Sequence, residues 1–400
     1  MSAGVTRVGV VGLGTMGAGI AEVFARSGYS VVGLETDQAA LDRGRSHLQS
    51  STDRAVARGK LEAAAQRDLL SRVELSLDLS RVSDCQLVVE AVFEDHEAKT
   101  SVFRRLDELT PAETLLATNT SSLSITAIAA ATSRPGRVVG VHFFNPAPVQ
   151  TLVEVISTVL TDDDTLARLA PVLRSLGKTP IACGDRAGFV VNALLIGYLN
   201  RATQLYQDGF ATREEIDAVM TEQAGYPLGP LALLDLVGLD VSLAVLVRMY
   251  DETKDRRLAP APLLRQLVSA GLLGRKTGRG FYSYDGSEPT EAPGPVPPTR
   301  SSRAAELPEA LIVPYLNDAL RMAQVGFATP DDIDTGMREG CRMPNPFDVL
   351  ADLGPGLVLA AQRRLFDETA EPGHRPVRLL EDLAAAADPG AALEQLRRAP

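Results

Sequence analysis

The sequence predicts an α/β fold in which a doubly wound domain is followed by two tandem, mainly helical domains. In the first part of the chain, short β-rich runs alternate with helical patterns, which is typical of a mostly parallel sheet covered by helices. From Arg186 onward the strand pattern fades and amphipathic helical patterns replace it. Part of this helical region then recurs closer to the C-terminal end.

The alternation in the first part can be followed along the chain. The predicted strands are Val8–Val11, Val31–Leu34, Leu87–Val89, Leu115–Ala117, Val138–Val141 and Leu152–Ile156. The predicted helices between them are Gly17–Ser27, Ala39–Ala57, Lys99–Leu109 and Asp164–Leu176. The amphipathic helices that follow are Val190–Gln207 and Arg213–Glu222, with a helical pattern continuing through Tyr250. We therefore expect the doubly wound domain at 1–185 and a first helical domain at 186–285.

Ser287–Arg300 is rich in Pro, Gly, Ser and Thr, which predicts a linker at 286–305. Two motifs recur in register across it: Tyr198-Leu199-Asn200 as Tyr315-Leu316-Asn317, and Gly209-Phe210-Ala211-Thr212 as Gly326-Phe327-Ala328-Thr329. Because ungapped recurrence of turn residues is hard to assign to chance, we expect a second copy of the helical domain at 306–385. The alternative is a set of similar helices that share only their composition.

The composition argues against several classes of protein. The chain has 400 residues and a formal net charge of −11, whereas nucleic-acid and anionic-membrane binding need a basic surface. Its three cysteines, Cys85, Cys183 and Cys341, are far apart, so we expect neither a disulfide framework nor a metal site. The N-terminus lacks the features of a signal peptide, and no apolar stretch is long enough to cross a bilayer. The sequence therefore predicts a cytoplasmic protein.

A glycine-rich turn follows the first predicted strand. Gly12, Gly14 and Gly17 form a G-x-G-x-x-G pattern that contains Met16 and opens the next helix. Gly12 permits a tight turn, Gly14 lets the backbone approach a pyrophosphate, and Gly17 lets the helix pack closely on the strand. The N–H groups at the helix start can then bind phosphate. The motif alone is weak support, but its position between a strand and a helix predicts a Rossmann-like dinucleotide site.

Glu35 ends the second predicted strand, about twenty residues beyond the glycine loop. A carboxylate at this position accepts hydrogen bonds from the adenosine ribose hydroxyls and repels a 2′-phosphate, which favours NAD over NADP. The alternative is a solvated charge at the end of a strand, since surface acids are common. We predict NAD as the cofactor.

Polar residues follow the later strands, at the edge where a doubly wound sheet places its active site. Ser121, His142 and Glu154 belong to three such segments, and Asn192 opens the helical region. Oxidation of a secondary alcohol needs a base for the hydroxyl proton, an acceptor for the hydride and groups that fix the reacting oxygen. His142 is the candidate base, with Glu154 on its other nitrogen to stabilise the imidazolium. Ser121 and Asn192 are the candidate donors to substrate oxygens.

Structural roles compete with these assignments. A single histidine after a strand is more often a satisfied structural residue than a base. Glu154 lies between Val153 and Val155, so it could face solvent from one side of a strand. Asn145-Pro146 could be only a turn. The residue patterns leave these alternatives open.

Several motifs in unbroken order resemble those of the 3-hydroxyacyl-CoA dehydrogenase family, which includes bacterial 3-hydroxybutyryl-CoA dehydrogenases. They are GLGTMGAGIA, ATNTSSLSIT, VHFFNPAPVQTLVEVI, GFVVN and AGYPLGP, with GRKTGRGFYSY at Gly274–Tyr284. The resemblance covers Val5–Tyr284, and several motifs in order are far more specific than one glycine loop. It implies NAD-dependent, reversible oxidation of an L-3-hydroxyacyl-CoA to the 3-ketoacyl-CoA.

The resemblance also implies roles for individual residues. The family's base falls on His142, and the carboxylate that orients this base falls on Glu154. The substrate-binding hydroxyl falls on Ser121, and the amide of the helical domain falls on Asn192. The family positions near the nicotinamide and its ribose fall on Glu94, Lys99 and Asn119.

The CoA-contacting helix of the family matches the stretch that contains Ser51, Arg58 and Lys60. The run of lysines that is usual there is thinned to Ala57-Arg58-Gly59-Lys60. An acyl-CoA is therefore the expected substrate. An acyl-carrier-protein thioester, or another 3-hydroxy acid of a biosynthetic pathway, is the alternative.

The second helical copy has a different expected role. The repeat places Glu309 where the first copy has Asn192, and no glycine-rich loop or histidine base accompanies it, so we expect no catalysis there. In the resembling family, single helical domains pair across a dimer, whereas multifunctional β-oxidation proteins carry tandem copies that pair within one chain. We therefore expect a pseudo-dimer within this chain, with a further homodimer left open. A separate domain on a flexible linker is the alternative.

Two other classes of protein compete with this interpretation. A different 3-hydroxy-acid dehydrogenase family relies on a catalytic lysine in its helical domain, and the His142 and Glu154 pair argues against it. A non-catalytic NAD-binding or assembly protein would keep the glycine loop beside a damaged site. Here Ser121, His142, Glu154 and Asn192 are all present, which favours an enzyme.

Overall fold

The computed structural model describes residues 4–286, 288–290 and 302–398. The chain forms two compact units, Met1–Phe189 and Val190–Pro400. The first unit is an α/β domain and the second is mainly helical, which confirms the predicted fold class.

The first unit contains one sheet of eight strands. They are β1 Arg7–Val11, β2 Ser30–Leu34, β3 Val73–Ser76, β4 Leu87–Glu90, β5 Leu115–Thr118, β6 Val138–Phe143, β7 Leu152–Ser157 and β8 Thr179–Gly184. The strand order is β3-β2-β1-β4-β5-β6-β7-β8, and every pair is parallel except β6 with β7. All residues of β4, β5 and β6 are buried, because both faces of a central parallel sheet are covered.

All six predicted strands are present, and two further strands lie at the edges of the sheet. The sequence patterns did not indicate β3 and β8, because an edge strand needs no continuous apolar run. Every residue of β3 is only half-buried, and Glu74 lies within it. β8 alternates between buried and more exposed residues and contains Pro180, a residue that an edge strand tolerates.

Six helices connect the strands of the first unit. They are α1 Thr15–Arg26, α2 Gln38–Ala57, α3 Ala63–Ser71, α4 His96–Leu109, α5 Ile125–Ala129 and α6 Asp163–Ser175. The side chains of Asp37 and Asp95 cap the start of α2 and α4, which is why these helices begin there. The short helices α3 and α5 were not predicted.

The second unit contains two successive sets of helices. The first set is α7 Val191–Gln207, α8 Arg213–Ala218, α9 Pro230–Val237, α10 Leu239–Thr253 and α11 Pro262–Ser269. The second set is α12 Leu307–Gln324, α13 Pro330–Cys341, α14 Pro346–Leu353, α15 Pro355–Thr369, α16 Arg378–Ala385 and α17 Pro389–Arg398. A π-helical turn, Val219–Gln223, extends α8, so the predicted helix Arg213–Glu222 is α-helical only in its first part.

Each of the two sets contains an equivalent side-chain hydrogen bond, at positions that the sequence repeat aligns. Asn200 in α7 is fully buried, and its Oδ1 accepts a hydrogen bond of 3.0 Å from the N–H of Ala261, just before α11. Asn317 in α12 is equally buried and accepts one of 3.0 Å from Val377, just before α16. Equivalent residues therefore perform the same structural task in both copies.

The two copies pack against each other through α7 and α12. The rings of Tyr198 and Tyr315, which occupy equivalent positions, have centroids 5.9 Å apart. Nη1 of Arg257 in the first copy lies 2.7 Å from Oδ1 of Asp318 in the second. Apolar and ionic contacts thus join the copies within the second unit.

The predicted linker at 286–305 is described only in part. Ser283–Asp285 forms β9, which pairs antiparallel with β10 at Glu288–Thr290. Ala304–Glu306 forms a 3₁₀ turn before α12. Residues 291–301 lie outside the described residues.

No single helix in the described ranges is both long and apolar enough to cross a bilayer; α9 and α10 reach that length and composition only together, as a pair bent by 97°. In the same ranges, no group of three or more His, Cys, Asp or Glu side chains is arranged to hold a metal ion. The three cysteines, which all lie in the described ranges, form no disulfide bond.

Candidate active site

Strands β6 and β7 place His142 directly opposite Glu154. The antiparallel register pairs the two residues, so their side chains project from the same face of the sheet. Nδ1 of His142 lies 2.7 Å from Oε2 of Glu154. Glu154 is fully buried and His142 is 7% exposed, so the alternative of a solvent-facing Glu154 is wrong. Because the carboxylate holds Nδ1, Nε2 is the nitrogen left to accept a proton.

Two phenylalanines surround the imidazole. The ring centroid of Phe144 lies 4.7 Å from that of His142, and the centroid of Phe189 lies 5.7 Å away. The backbone of Phe189 has a φ of 46°, a left-handed conformation that costs a bulky residue about 1–3 kcal/mol and is concentrated at functional sites. Apolar rings also lower the local dielectric constant, which strengthens the attraction between a charged imidazole and its carboxylate.

Asn119 follows β5 and connects two neighbouring strands. Its backbone N–H donates a hydrogen bond of 2.8 Å to the carbonyl of Glu90. Its side-chain Oδ1 accepts one of 2.9 Å from the N–H of Phe143, the residue after His142. No described residue accepts from the NH₂ group of Asn119, so this donor is available to a ligand.

Glu94 organises the turn that carries Ser121. Its Oε1 accepts hydrogen bonds of 2.5 Å from Oγ1 of Thr120, 3.1 Å from the N–H of Ser121 and 3.2 Å from the N–H of Ser122. Burial opposes ionisation of Glu94, but these hydrogen bonds and the charge of Lys99 keep its pKa below the ordinary value. The hydroxyl of Ser121 is half-buried and forms no hydrogen bond with the described residues.

Lys99 joins this turn to the end of β4. Its side chain is 1% exposed, and Nζ lies 2.7 Å from Oε1 of Glu90 and 3.5 Å from Oε2 of Glu94. Glu90 is fully buried and accepts a further hydrogen bond of 2.7 Å from Oγ1 of Thr118. The ammonium group of Lys99 is therefore directed into the protein, toward two carboxylates.

The glycine loop lies at the same edge of the sheet, because the parallel strands β1, β4, β5 and β6 end there. Gly12 has a φ of 90°, and a Cβ on it would lie 2.8 Å from the carbonyl oxygen of Ala91. A Cβ on Gly17 would lie 1.8 Å from the carbonyl oxygen of Gly12. A Cβ on Gly14 would meet nothing within 4 Å, so the loop is open at this point. Met16 packs against the core.

The start of α1 and the carboxylate of Glu35 complete this loop. The first turn of α1 has no side-chain cap and no acidic residue, so its N–H groups can bind phosphate. Oε1 of Glu35 accepts a hydrogen bond of 2.6 Å from the N–H of Leu13. An open glycine, an uncapped helix start and an adjacent carboxylate fit the pyrophosphate and ribose of a dinucleotide.

The remaining predicted site residues lie elsewhere. Ser51 is half-buried on α2, and Arg58 and Lys60 are exposed at the end of that helix. Within the described part of the chain, no hydrogen bond joins these three residues to His142. Asn192 is half-buried in the first turn of α7, in the second unit.

Lys178 is a residue near the site that the sequence patterns did not indicate. Its Nζ donates hydrogen bonds of 2.6 Å to the carbonyl oxygens of Ala147 and Gln150, in the connection between β6 and β7. Burial, together with repulsion by Arg26, lowers the pKa of Lys178 to about 8. A lysine between an amphipathic helix and an edge strand carries no sequence signal for such a role.

Glu90 and Thr120 were also missed. Glu90 is the last residue of β4, after the apolar run Leu87–Val89, and Glu35 directly follows β2. This similar position after an apolar run is the signal that could have identified Glu90. Thr120 lies within a run of threonines and serines whose hydrogen bonds depend on how the turn folds.

Family models match both units. The model described as "3-hydroxyacyl-CoA dehydrogenase, NAD binding domain" matches residues 7–186. The model described as "3-hydroxyacyl-CoA dehydrogenase, C-terminal domain" matches twice, at residues 188–284 and 309–395.

Individual relatives give the same result. The chain is 46% identical over 286 residues to a 3-hydroxybutyryl-CoA dehydrogenase of Mycobacterium tuberculosis, covering 71% of this chain and all of that one. It is 43% identical over 288 residues to the mitochondrial hydroxyacyl-coenzyme A dehydrogenase of Homo sapiens, covering 70% and 91%. The crystal structure of 3-hydroxybutyryl-CoA dehydrogenase from Escherichia coli K12 covers 95% of this chain and 98% of that one, with a TM-score of 0.86 and 32% identity. The chain therefore belongs to the 3-hydroxyacyl-CoA dehydrogenase family and is an NAD-dependent dehydrogenase.

Proposed function

We propose that this enzyme catalyses the reversible oxidation of an L-3-hydroxyacyl-CoA to the 3-ketoacyl-CoA, with His142 as the base. The buried His142–Glu154 pair, at 2.7 Å, is the observation that supports this most strongly. It lies at the sheet edge that also carries the glycine loop. The names of the relatives support the choice of an acyl-CoA substrate.

Each side chain has a separate task in this mechanism. Nε2 of His142 takes the proton of the 3-hydroxyl group, and Glu154 stabilises the imidazolium that forms. NAD, when bound, supplies the hydride acceptor. The hydroxyl of Ser121 and the amide of Asn192 hold the substrate oxygens in the reactive orientation. In the reverse direction, the imidazolium returns its proton to the oxygen of the ketone.

The cofactor site uses two groups of residues. Gly12, Gly14, Met16 and Gly17 form the pyrophosphate loop, and Glu35 binds the adenosine ribose. Glu94, Lys99 and Asn119 support the nicotinamide end. In that group, Asn119 offers its NH₂ group directly, whereas Lys99 acts through Glu94, because its own ammonium group is buried against two carboxylates.

The CoA moiety is assigned to the end of α2, where Arg58 and Lys60 are exposed and Ser51 is half-buried. Two cationic side chains there offer phosphate contacts on a protein of net charge −11. The thinning of this stretch by Ala57 and Gly59 favours a second candidate, the same chemistry on an acyl-carrier-protein thioester. Steady-state kinetics on matched CoA and carrier-bound substrates distinguish the two, since the true carrier gives the higher kcat/KM.

The second helical copy is assigned a covering role without catalysis. Glu309, at the position of Asn192, forms an ion pair of 2.7 Å with Arg364 instead of offering an amide. The contacts of α7 with α12 support a pseudo-dimer within one chain, in which the second copy takes the place of a partner subunit.

The first test follows NADH absorbance with acetoacetyl-CoA, in wild-type protein and in His142→Ala. Loss of the general base is expected to reduce kcat by about 10²–10⁴-fold. His96→Ala, which removes an exposed histidine at the start of α4, is the matched control and is expected to retain full activity. NADPH is expected to be a much poorer substrate than NADH. Undiminished turnover in folded His142→Ala would reject the proposed base.

A further inference from the structure

The two helical copies are joined by an ion pair that occurs on only one side of the repeat. Arg257 of the first copy binds Asp318 of the second at 2.7 Å. The register that aligns Asn200 with Asn317 aligns the next residues, Arg201 and Asp318. The register that aligns Ala261 with Val377 aligns Arg257 with Gly373. If the two copies were symmetric, residue 373 would pair with residue 201 as Arg257 pairs with Asp318. Gly373 has no charged side chain, and Arg201 stands in place of the aspartate, so the second pair cannot form.

Arg201 is consequently left without a carboxylate partner. No described carboxylate lies within ion-pair distance of it, and its one polar contact is from Nε to the carbonyl oxygen of Ala310, at 3.5 Å. Burial lowers the pKa of Arg201, and the charge of Asp208 offsets this only in part. Arg201 is half-buried, and a guanidinium group that is partly withdrawn from water without a counter-ion is costly, so this position is suited to an anion from outside the chain.

Arg201 lines a cleft of about 280 Å³ between the two copies. Gly197, Arg201 and Gln204 form one wall, since their spacing places them on one face of α7. Leu194, Leu258 and Leu311 make much of the rest apolar. Three arginines and two carboxylates line the cleft, and one of those carboxylates, Asp318, is already bound to Arg257. His374, also in the lining, has its pKa lowered to about 4 by burial and by the nearby arginines, so it is neutral at physiological pH.

We propose that this cleft binds a short-chain carboxylate, with the anionic group on Arg201 and the hydrocarbon chain against the leucines. The planar guanidinium group matches a carboxylate with two parallel hydrogen bonds. The NH₂ group of Gln204 makes no hydrogen bond with the described residues and supplies a further donor. The cleft is smaller than the ~300–1,000 Å³ of sites for drug-sized ligands, so a chain of about four to six carbons fits.

Calorimetric titration of the full-length protein with sodium hexanoate tests this site without requiring turnover. The protein is first saturated with NAD⁺ and acetoacetyl-CoA, which are both in the oxidised state and cannot react, so that the active site is blocked. Saturable binding of hexanoate at one site per chain is expected to persist. Arg201 and Gly197 are not among the residues of the proposed active site. A loss of hexanoate binding in variants of these two residues therefore reports on the cleft and not on the proposed reaction.

Two variants remove the site in different ways. Arg201→Gln removes the charge and is expected to weaken hexanoate binding about tenfold or more. Gly197→Leu keeps the charge and fills the cleft; a Cβ there would lie 3.5 Å from Cδ2 of Leu258, which is an ordinary contact. Circular dichroism of both variants checks that each is folded. Arg364→Gln, an arginine already paired with Glu309, is the control and is expected to bind like wild type. Absence of saturable binding in wild type, or unchanged affinity in both Arg201→Gln and Gly197→Leu, would overturn the proposal.

Discussion

Glu35, Glu90 and Glu154 are carboxylates in or directly after strands β2, β4 and β7 of one sheet, and each meets a different partner. Glu35 accepts from a backbone N–H at 2.6 Å, Glu90 binds the ammonium of Lys99 at 2.7 Å, and Glu154 binds the imidazole of His142 at 2.7 Å. The partner decides what each carboxylate can do. The first is bound to the backbone of the glycine loop, the second is enclosed in a buried ion pair, and the third can respond to a proton on an imidazole.

Glu154→Gln is expected to reduce kcat by about 10²–10⁴-fold while leaving the KM for NADH nearly unchanged. Glutamine preserves the volume but removes the negative charge that stabilises the imidazolium and fixes its tautomer. Steady-state kinetics with acetoacetyl-CoA measure the effect, and Glu97→Gln, at an exposed position in α4, is the matched control. A wild-type kcat in Glu154→Gln would show that the charge is not used.

Lys99→Met is expected to destabilise the first unit by about 3–5 kcal/mol, because it leaves the fully buried Glu90 without its counter-ion. Adding Glu90→Gln should recover much of that loss, since the amide keeps an acceptor for Thr118 and carries no charge. Urea unfolding of the single and double variants measures the coupling free energy. Strictly additive effects of the two substitutions would contradict a buried ion pair.

At the scale of elements, one reversal of strand direction creates the proposed catalytic pair. β6 and β7 are the only neighbouring antiparallel strands in the eight-stranded sheet of the described residues, and this pairing sets His142 and Glu154 face to face. The connection between the two strands must therefore be held in place. Lys178, from the start of the next edge strand, binds two of its carbonyl oxygens.

The stability contribution of Lys178 is expected to depend on pH. Its pKa falls from 10.5 to about 8 in the folded protein, so between these values the unfolded chain holds a proton that the folded chain releases. The free energy of unfolding that this residue contributes therefore rises with pH across that window, by about 1–2 kcal/mol after allowance for solvent screening. Urea unfolding at pH 7.5 and pH 10 measures it as the difference between wild type and Lys178→Met.

Lys60→Met, at an exposed lysine after α2, is the matched control for this pH dependence and should show no such change. If the difference between wild type and Lys178→Met stayed constant from pH 7.5 to pH 10, the depressed pKa would be wrong.

At the scale of the whole molecule, the two helical copies share structural contacts but differ at the position of the candidate site residue Asn192. Both helical copies keep the buried asparagine that accepts a hydrogen bond from a backbone N–H, just before α11 in the first copy and just before α16 in the second. Only the first copy keeps Asn192, whereas Glu309 at the equivalent position is bound to Arg364. The second copy has thus kept the contacts that maintain its fold and its packing on α7.

Removal of the second copy is expected to expose the face of α7 that carries Tyr198. A chain truncated after Tyr284 should therefore dimerise or aggregate, since that buried aromatic surface needs a cover. Light scattering after size-exclusion chromatography measures the mass in solution. A truncated chain that stays monomeric, soluble and fully active would contradict the covering role.

The sequence by itself determined the fold class, the repeat and the identity of the central chemical groups. These features are local: a buried strand reads as an apolar run, a glycine loop needs fixed spacings, and a repeat is a match of one segment with another. The six central strands were predicted for this reason. The positions of His142 and the glycine loop at the carboxyl ends of strands followed from the same patterns. Glu154 instead lies near the start of β7, which reaches the same edge of the sheet because it runs antiparallel to β6.

Only the tertiary structure decided which of these groups touch one another. Strand register and packing between distant segments determine three contacts. They bury Glu154, direct Lys99 toward Glu90, and bring Lys178 to the connection between β6 and β7. The tertiary structure also decided the edge strands β3 and β8, because pairing with neighbouring strands holds them in place where their own sequence pattern does not. Arg201 reads as one more charged helix residue in the sequence, and only the packing of the two copies shows that its partner is missing. Contacts between residues far apart in the chain are set by the fold as a whole, and that is why local patterns cannot specify them.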